Sequence, residues 1–273
     1  MFFSMIVRGM NTDTVRYEVE DEVATITLSN PDMRNALTVE VSDGIRDALD
    51  AIEESDARVV VVEGEGPAFC AGGDINAMMA GLSGDVPAWQ KAERVMTTLH
   101  RTIERLIRFP LPTVAKIEGK AFGAGASLAI ACDVQAARED VEFSFAFRKV
   151  GLAVDSGTSW MLPRLVGENV AKRLVLTGQV FDATEAAEMG VITDVYPAAE
   201  FEEAVDALVG EIATGPTVGL TISKRLIRQN ATKSLSEALD DEATAQALAL
   251  GTRDHEEGAS AFMERRDAEF EGY

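Results

Sequence analysis

Val114-Ala115-Lys116-Ile117 is apolar and β-rich, and it runs through Gly119-Lys120-Ala121-Phe122-Gly123-Ala124-Gly125 into the apolar stretch Ser127-Leu128-Ala129-Ile130-Ala131. A buried strand, a glycine-rich turn and an apolar helix in that order form the unit of an α/β fold. The same unit repeats upstream. Val59-Val60-Val61-Val62 reads as a strand buried on both faces, followed by a glycine-rich loop from Gly64 to Gly73. Val95, Leu99, Ile103 and Leu106 recur at helical spacing until Pro110 and Pro112 stop the helix. Nearer the start, Val23 to Leu28 alternates as a strand and Asn30-Pro31-Asp32 turns. Thr38 then caps a helix with apolar positions Val41, Ile45, Leu49 and Ile52. Downstream, Val134 to Ala137 is again a strand.

After Gly215-Pro216 the pattern changes. Thr217 to Gln229, Ser236 to Leu250 and about His255 to Phe270 are all helical, with no strand between them. The chain therefore divides into an N-terminal extension (1–12), an α/β core (13–215) and a helical region (216–273). Met5 and Met10 are alternative starts to Met1. The stretch Met78 to Lys91, with Gly81, Gly84 and Pro87, reads as a mobile loop shaping a pocket.

The 273 residues carry 25 Lys+Arg against 46 Asp+Glu, a formal net charge of −21. That balance excludes a general nucleic-acid binder and an anionic membrane surface, both of which need clustered cations. Eighteen of the cations are Arg and only seven are Lys. Such a surface repels itself at low salt and is screened at molar salt, where the Debye length is about 3 Å. A high-salt cytoplasm is the expectation, against an acidic protein of an ordinary bacterium. The start lacks a basic region and a cleavage site, and Ala121 to Cys132 is too short to span a bilayer, so a cytoplasmic location is expected. Cys70 and Cys132 read as buried thiols. Together with His100 and His255 they offer no metal-ligand spacing, so no metal is expected.

The two glycine-rich loops admit two readings. They are tight turns, or each lends one backbone N–H to a single carbonyl oxygen, forming an oxyanion hole. A dinucleotide fingerprint is excluded because Leu128 stands where its third glycine belongs, and no Gly-Lys-Ser/Thr phosphate loop occurs.

Arg34-Asn35-Ala36-Leu37, Phe69-Cys70-Ala71-Gly72-Gly73-Asp74-Ile75 and Gly119 to Gly125, in that order, resemble the crotonase (enoyl-CoA hydratase/isomerase) superfamily. The likeness continues through Ala129 to Asp133, Gly151 to Gly157, Leu162 to Gly167 and Ala261 to Arg266. It implies a spiral of repeated ββα units with C-terminal helices that build a homotrimer or a dimer of trimers. It also implies an acyl-CoA thioester as substrate, with no separate cofactor. By resemblance, Gly73 and Ala124 are the oxyanion donors. Arg34, Ala36, Ala71, Asp74 and Ile75 hold the CoA, and Phe262 and Arg265 touch its nucleotide, often from a neighbouring subunit. Arg34, Arg265 and Arg266 are the cations on hand for polyanionic CoA.

The chain departs from the family where its hydratases carry two acid–base glutamates. Ser127 and Phe147 occupy those positions. One carboxyl remains, Asp155, in Val154-Asp155-Ser156-Gly157, and it resembles the aspartate of phenylacetate-degradation isomerases and of chlorobenzoyl-CoA dehalogenases. Its other reading is an N-cap for the helix toward Leu165. A single carboxyl suits moving a double bond, which needs one group to take a proton and return it, better than adding water. The expectation is an enoyl-CoA isomerase using Asp155. The alternatives are a hydratase with atypical acid–base groups and a silent acyl-CoA-binding paralogue.

Overall fold

The computed structural model describes residues 12–82 and 87–273. The N-terminal extension and the choice of start therefore lie outside the described residues, Thr12 excepted, as do 83–86 of the stretch 78–91 expected to be a loop; the rest of that stretch is not a loop but falls mainly in the helices Ile75–Leu82 and Ala88–Val95.

The strands are β1 (Val15–Glu20), β2 (Val23–Leu28), β3 (Val59–Gly64), β4 (Thr113–Ile117), β5 (Ala121–Phe122), β6 (Val134–Arg138), β7 (Glu142–Ser144), β8 (Phe181–Asp182) and β9 (Asp194–Tyr196). The helices are α1 (Val39–Glu53), α2 (Ile75–Leu82), α3 (Ala88–Val95), α4 (Arg101–Ile107), α5 (Ala124–Ala129), α6 (Thr158–Thr177), α7 (Ala183–Glu188), α8 (Phe201–Ala213), α9 (Thr217–Asn230), α10 (Leu235–Ala249) and α11 (Arg253–Glu264). A six-stranded sheet runs β1-β2-β3-β4-β6-β9, and a three-stranded one runs β5-β7-β8. Only the β1–β2 hairpin of the larger sheet is antiparallel. The chain is thus α/β with a C-terminal helical region.

The four valines of β3 are buried on both faces, as the run predicts. Val60 and Val62 join the main core, while Val59 and Val61 pack with Phe201, Val205 and Val209 of α8. The Thr38 hydroxyl caps α1 by accepting from the Val41 N–H at 3.1 Å. The apolar face of α1 buries Ile45, Leu49 and Ile52, each contributing about 2 kcal/mol. These elements hold the loops after β3 and β4 on a rigid sheet.

Three boundaries differ from the sequence pattern. α5 begins at Ala124 rather than Ser127, because Gly123 (φ 55°) turns the chain a full step earlier. The helix read through Val95 to Leu106 is interrupted by a π-turn at Met96–His100. The last helix ends at Glu264, not near Phe270. Arg265 adopts a left-handed conformation (φ 58°), and the buried Asp254 carboxylate accepts from the N–H groups of Glu271 and Gly272. The buried Arg58 guanidinium fastens the same tail through the Phe270 carbonyl, and it also binds Thr217 and the Gly215 carbonyl.

Candidate active site

The loop after β3 lies along β5. Cys70 N–H donates to the Lys120 carbonyl at 3.2 Å, and Phe122 N–H donates to the Cys70 carbonyl at 3.0 Å. On its other side, Ala71 N–H donates to Arg34 O at 2.9 Å and Leu37 N–H to Gly72 O at 2.8 Å. Asn35, fully buried at φ 54°, locks this layer by donating to the carbonyls of Glu65 and Ala68. The approach of the two loops requires glycine. A Cβ on Gly125 would stand 2.0 Å from the Cys70 carbonyl oxygen, and one on Gly72 (φ 100°) would stand 2.7 Å from the Phe122 oxygen.

The N–H groups of Gly73 and Ala124 have no acceptor among the described residues. Ala124 opens α5, whose N-cap Gly123 has no side chain to offer; Gly123 is itself tied to Ser144 O at 2.7 Å. The Met78 methyl would lie 2.6 Å from a Cβ on Gly73, so an apolar thioether covers this point of the site. Two unused donors from adjacent loops, under an apolar cover, can stabilise an oxygen that gains negative charge.

Asp155 is half-buried, and burial raises its carboxyl above the ordinary aspartate range; the Ser156 hydroxyl and the charge of His100 oppose that rise. Its Oδ1 accepts from Ser156 Oγ at 2.7 Å. The N-cap reading of this side chain is overturned. The cap of α6 is Gly157, in left-handed conformation with no side-chain hydrogen bond, and it is the Asp155 carbonyl that accepts from Thr158 N and Oγ1. The carboxyl is thus not spent on the helix end.

Ser127 is fully buried, and its hydroxyl meets Gly123 O at 3.2 Å and Thr158 Oγ1 at 2.5 Å. A chain of polar contacts therefore runs from the loop holding Ala124, through Ser127 and Thr158, to the Asp155 backbone. Phe147 is buried in a short 3-10 turn.

Of the positions expected from the resemblance to hold CoA, Arg34 and Ile75 are exposed, Ala71 and Asp74 are half-buried and Ala36 is buried. Asp74 Oδ1 accepts from Ala77 N at 3.0 Å and so steadies the start of α2. Phe262 and Arg265 are not brought to the loops. Phe262 is 84% exposed on α11, and Arg265 is the exposed residue that ends it. Arg266 is not a free cation, since Glu257 and Glu264 both hold it. Both thiols are buried as expected, and burial pushes Cys70 up to about 12. The cavity of about 560 Å³ on the outer sheet, lined by Arg16, Glu18, Glu63, Glu65 and Glu118, contains none of these site residues. Among the described residues, no helix is long and apolar enough to cross a membrane.

The family model for enoyl-CoA hydratase/isomerase matches residues 18–273. The 1,2-epoxyphenylacetyl-CoA isomerase of Escherichia coli (strain K12) is 35% identical over 93% of this chain and 97% of its own. The crotonyl-CoA hydratase of Syntrophomonas wolfei is 30% identical over 96% of this chain and 99% of its own. A crystal structure of an enoyl-CoA hydratase from Polaromonas sp. JS666 superposes with a TM-score of 0.88 at 31% identity, covering 94% of this chain and 99% of that one.

Proposed function

The chain belongs to the enoyl-CoA hydratase/isomerase family, and within it we propose that it is an isomerase that moves a double bond of an enoyl-CoA thioester. The observation that carries this reading is the half-buried carboxyl of Asp155, which accepts from Ser156 Oγ and is not spent on capping α6, in a chain whose buried Ser127 and Phe147 offer no acid or base. In the proposed reaction the Asp155 carboxylate takes a proton from C2 of a 3-enoyl thioester. The electron pair moves onto the thioester oxygen, which accepts from the N–H groups of Gly73 and Ala124. The enolate then collapses, C2 and C3 become the double bond, and Asp155 returns the proton to C4. Nothing is consumed. Burial suits Asp155 to this exchange, because it draws the carboxyl closer to the proton affinity of its carbon acid partner.

Hydration needs a second group to activate water. The Ser127 hydroxyl is fully buried and engaged with Gly123 and Thr158, which supports the isomerase over the hydratase. We place CoA along Arg34, Ala36, Ala71, Asp74 and Ile75. Phe262 and Arg265 would serve the site of a neighbouring subunit in a homotrimer or a dimer of trimers. The exposed Ile227, Leu235, Leu239 and Leu248 on α9 and α10, and the groove of about 430 Å³ between these helices, support such an assembly. The acidic surface fits a cytoplasm rich in salt.

Purified protein in molar KCl, offered 3-enoyl-CoA, 2-enoyl-CoA in water, and phenylacetyl-derived thioesters, tests the proposal. Isomerisation should dominate. Hydration of 2-enoyl-CoA at a rival rate would reject the isomerase, and binding without turnover would make the chain a silent paralogue.

A further inference from the structure

Ser127 and Thr158 are both fully buried, and their hydroxyl oxygens stand 2.5 Å apart. Beyond each hydroxyl lies a main-chain carbonyl. Ser127 Oγ is 3.2 Å from the Gly123 oxygen, and Thr158 Oγ1 is 2.7 Å from the Asp155 oxygen. Two hydroxyls have two protons for these three contacts. The distances assign them. Thr158 donates to the Asp155 carbonyl at an ordinary O–H···O length, so the bond between the hydroxyls takes the Ser127 proton. The Gly123 oxygen is the minor acceptor of that same proton. The result is a directed bridge from α5 to the turn before α6. Among the described residues it is the only hydrogen bond between α5 and α6.

What the bridge joins gives it a role. The Gly123 carbonyl and the Ala124 N–H belong to one planar peptide, so fixing the oxygen fixes the direction of the donor. Ser127 fixes it, because its N–H donates to Gly123 O at 3.2 Å. At the other end the Asp155 carbonyl accepts twice from Thr158, from N at 2.9 Å and from Oγ1 at 2.7 Å. The chain there needs an outside hold. Ser156 and Gly157 both have positive φ, 52° and 74°, a conformation that a serine adopts at a cost, and α6 begins without a side-chain cap. Apolar packing closes the turn from another side, with Met161 Cε 3.3 Å and Ile103 Cγ2 3.5 Å from a Cβ on Gly157.

We propose that Thr158 is a positioning residue: with Ser127 it ties the peptide that bears the Ala124 N–H to the main chain of Asp155, and so fixes the proton-transferring carboxyl relative to the donor that receives the developing charge. The inference rests on the isomerase reading, in which both groups act on one thioester. It gives Ser127 a use at the position where, by resemblance, hydratases of the family carry a glutamate. The hydroxyl transfers no proton to substrate there; it braces the frame on which the transfer is made.

Thr158→Val keeps the shape of the side chain and removes the hydroxyl, whereas Thr158→Ser keeps the hydroxyl. In steady-state isomerisation of a 3-enoyl-CoA, Thr158→Val should lower kcat about ten- to a hundredfold, the scale of a small misplacement of reacting groups. KM should stay within about threefold, because the groups that bind the thioester are untouched. Thr158→Ser should recover most of the loss. Ser127→Ala breaks the same bridge, so adding it to Thr158→Val should cost little beyond the worse single change. It also carries the kcat test if Thr158→Val fails to fold. A wild-type kcat in the folded Val variant overturns the proposal. So does a Ser variant no better than Val, or losses that multiply in the double variant, which mark two independent structural side chains. Amide hydrogen exchange of the free protein adds an arm without substrate. Thr158→Val should quicken exchange at the Ser127 N–H, and Ser127→Ala at the Thr158 N–H. Exchange unmoved across the bridge overturns the proposal even if Asp155→Asn retains turnover and the isomerase reading fails. A dead Asp155→Asn beside a full-rate Thr158→Val keeps that reading and removes the proposal.

Discussion

Asp155→Asn separates chemistry from architecture at the position on which the proposed reaction depends. The amide keeps the size of the side chain and can still accept from Ser156 Oγ, whose bond to Oδ1 measures 2.7 Å. The carbonyl that receives Thr158 is main chain and is untouched. What disappears is the base. A general base is worth about 10²- to 10⁴-fold in rate, or roughly 2.7–5.4 kcal/mol of barrier, so isomerisation should fall by at least about two orders of magnitude. Stability should change by no more than about 1 kcal/mol, a Tm shift of about 2–4 °C for a chain of this size. Its pH dependence has a definite direction. Burial raises the native carboxyl's pKa above its unfolded value, so its stabilising contribution is present in acid and is lost as pH rises through the native value. The Asn variant lacks that loss. Its Tm relative to wild type should therefore improve between about pH 4 and pH 7. A coupled assay of 3-enoyl-CoA turnover and thermal scans at both pH values check these numbers. Turnover within about threefold of wild type would remove Asp155 from the reaction, and a relative Tm that worsens toward neutral pH would refute the account of its burial.

Gly125→Ala should abolish the site while leaving its side chains in place, because its Cβ would collide with the Cys70 carbonyl at 2.0 Å. We expect destabilisation of about 3 kcal/mol or more by chemical denaturation and loss of thioester binding. Ile227→Asp, at an exposed apolar position of α9, should shift light-scattering mass from the proposed trimer or hexamer toward monomer with helix content kept. An unchanged mass would exclude that face from assembly. Thermal stability should rise between about 0.1 M and 2 M KCl as the repulsion within a charge of −21 is screened. A flat or falling curve would remove the high-salt reading.

The parts of the molecule legible in the sequence are those whose signal is local. Val59 to Val62 announces a strand buried on both faces, and Thr38 with Val41, Ile45, Leu49 and Ile52 announces a capped amphipathic helix; both stand as read. Gly72 and Gly125 were visible as loop glycines, but the reason for them, a carbonyl from the other loop, is a contact between residues far apart in the chain. The two-residue strands β5 and β8 carry too little pattern to be seen. Asp155 shows where local reasoning misleads. An aspartate before Ser-Gly-Thr is a good cap by sequence, yet Ser156 and Gly157 both take positive φ and turn the carboxyl away from the helix end. The π-turn Met96–His100 adds an extra residue to a helical run, which hydrophobic spacing does not encode.

The charge of the chain bears on how a polyanionic thioester could be held at all. Most cations are engaged. Lys116 meets Glu63, Glu118 and Glu202, Arg138 meets Glu118 and Asp140, Arg266 meets Glu257 and Glu264, and Arg228 donates to the Ile107 carbonyl. Exposed pairs of this kind add little stability one by one, but each removes a cation from the field a ligand meets. Among the positions proposed to hold CoA, Arg34 and Arg265 are the two cations, and both are exposed, where salt screens them. The N–H groups of Gly73 and Ala124 work differently. They are neutral dipoles fixed by backbone packing, at a half-buried glycine and a buried alanine, and mobile ions would do little to weaken their bonds to the oxygen of a bound thioester. A protein with this surface can therefore vary its outer charge widely without touching the donors on which the proposed reaction relies. On the proposed reading, screening falls on the docking of the nucleotide, and the chemistry at the thioester is left unchanged.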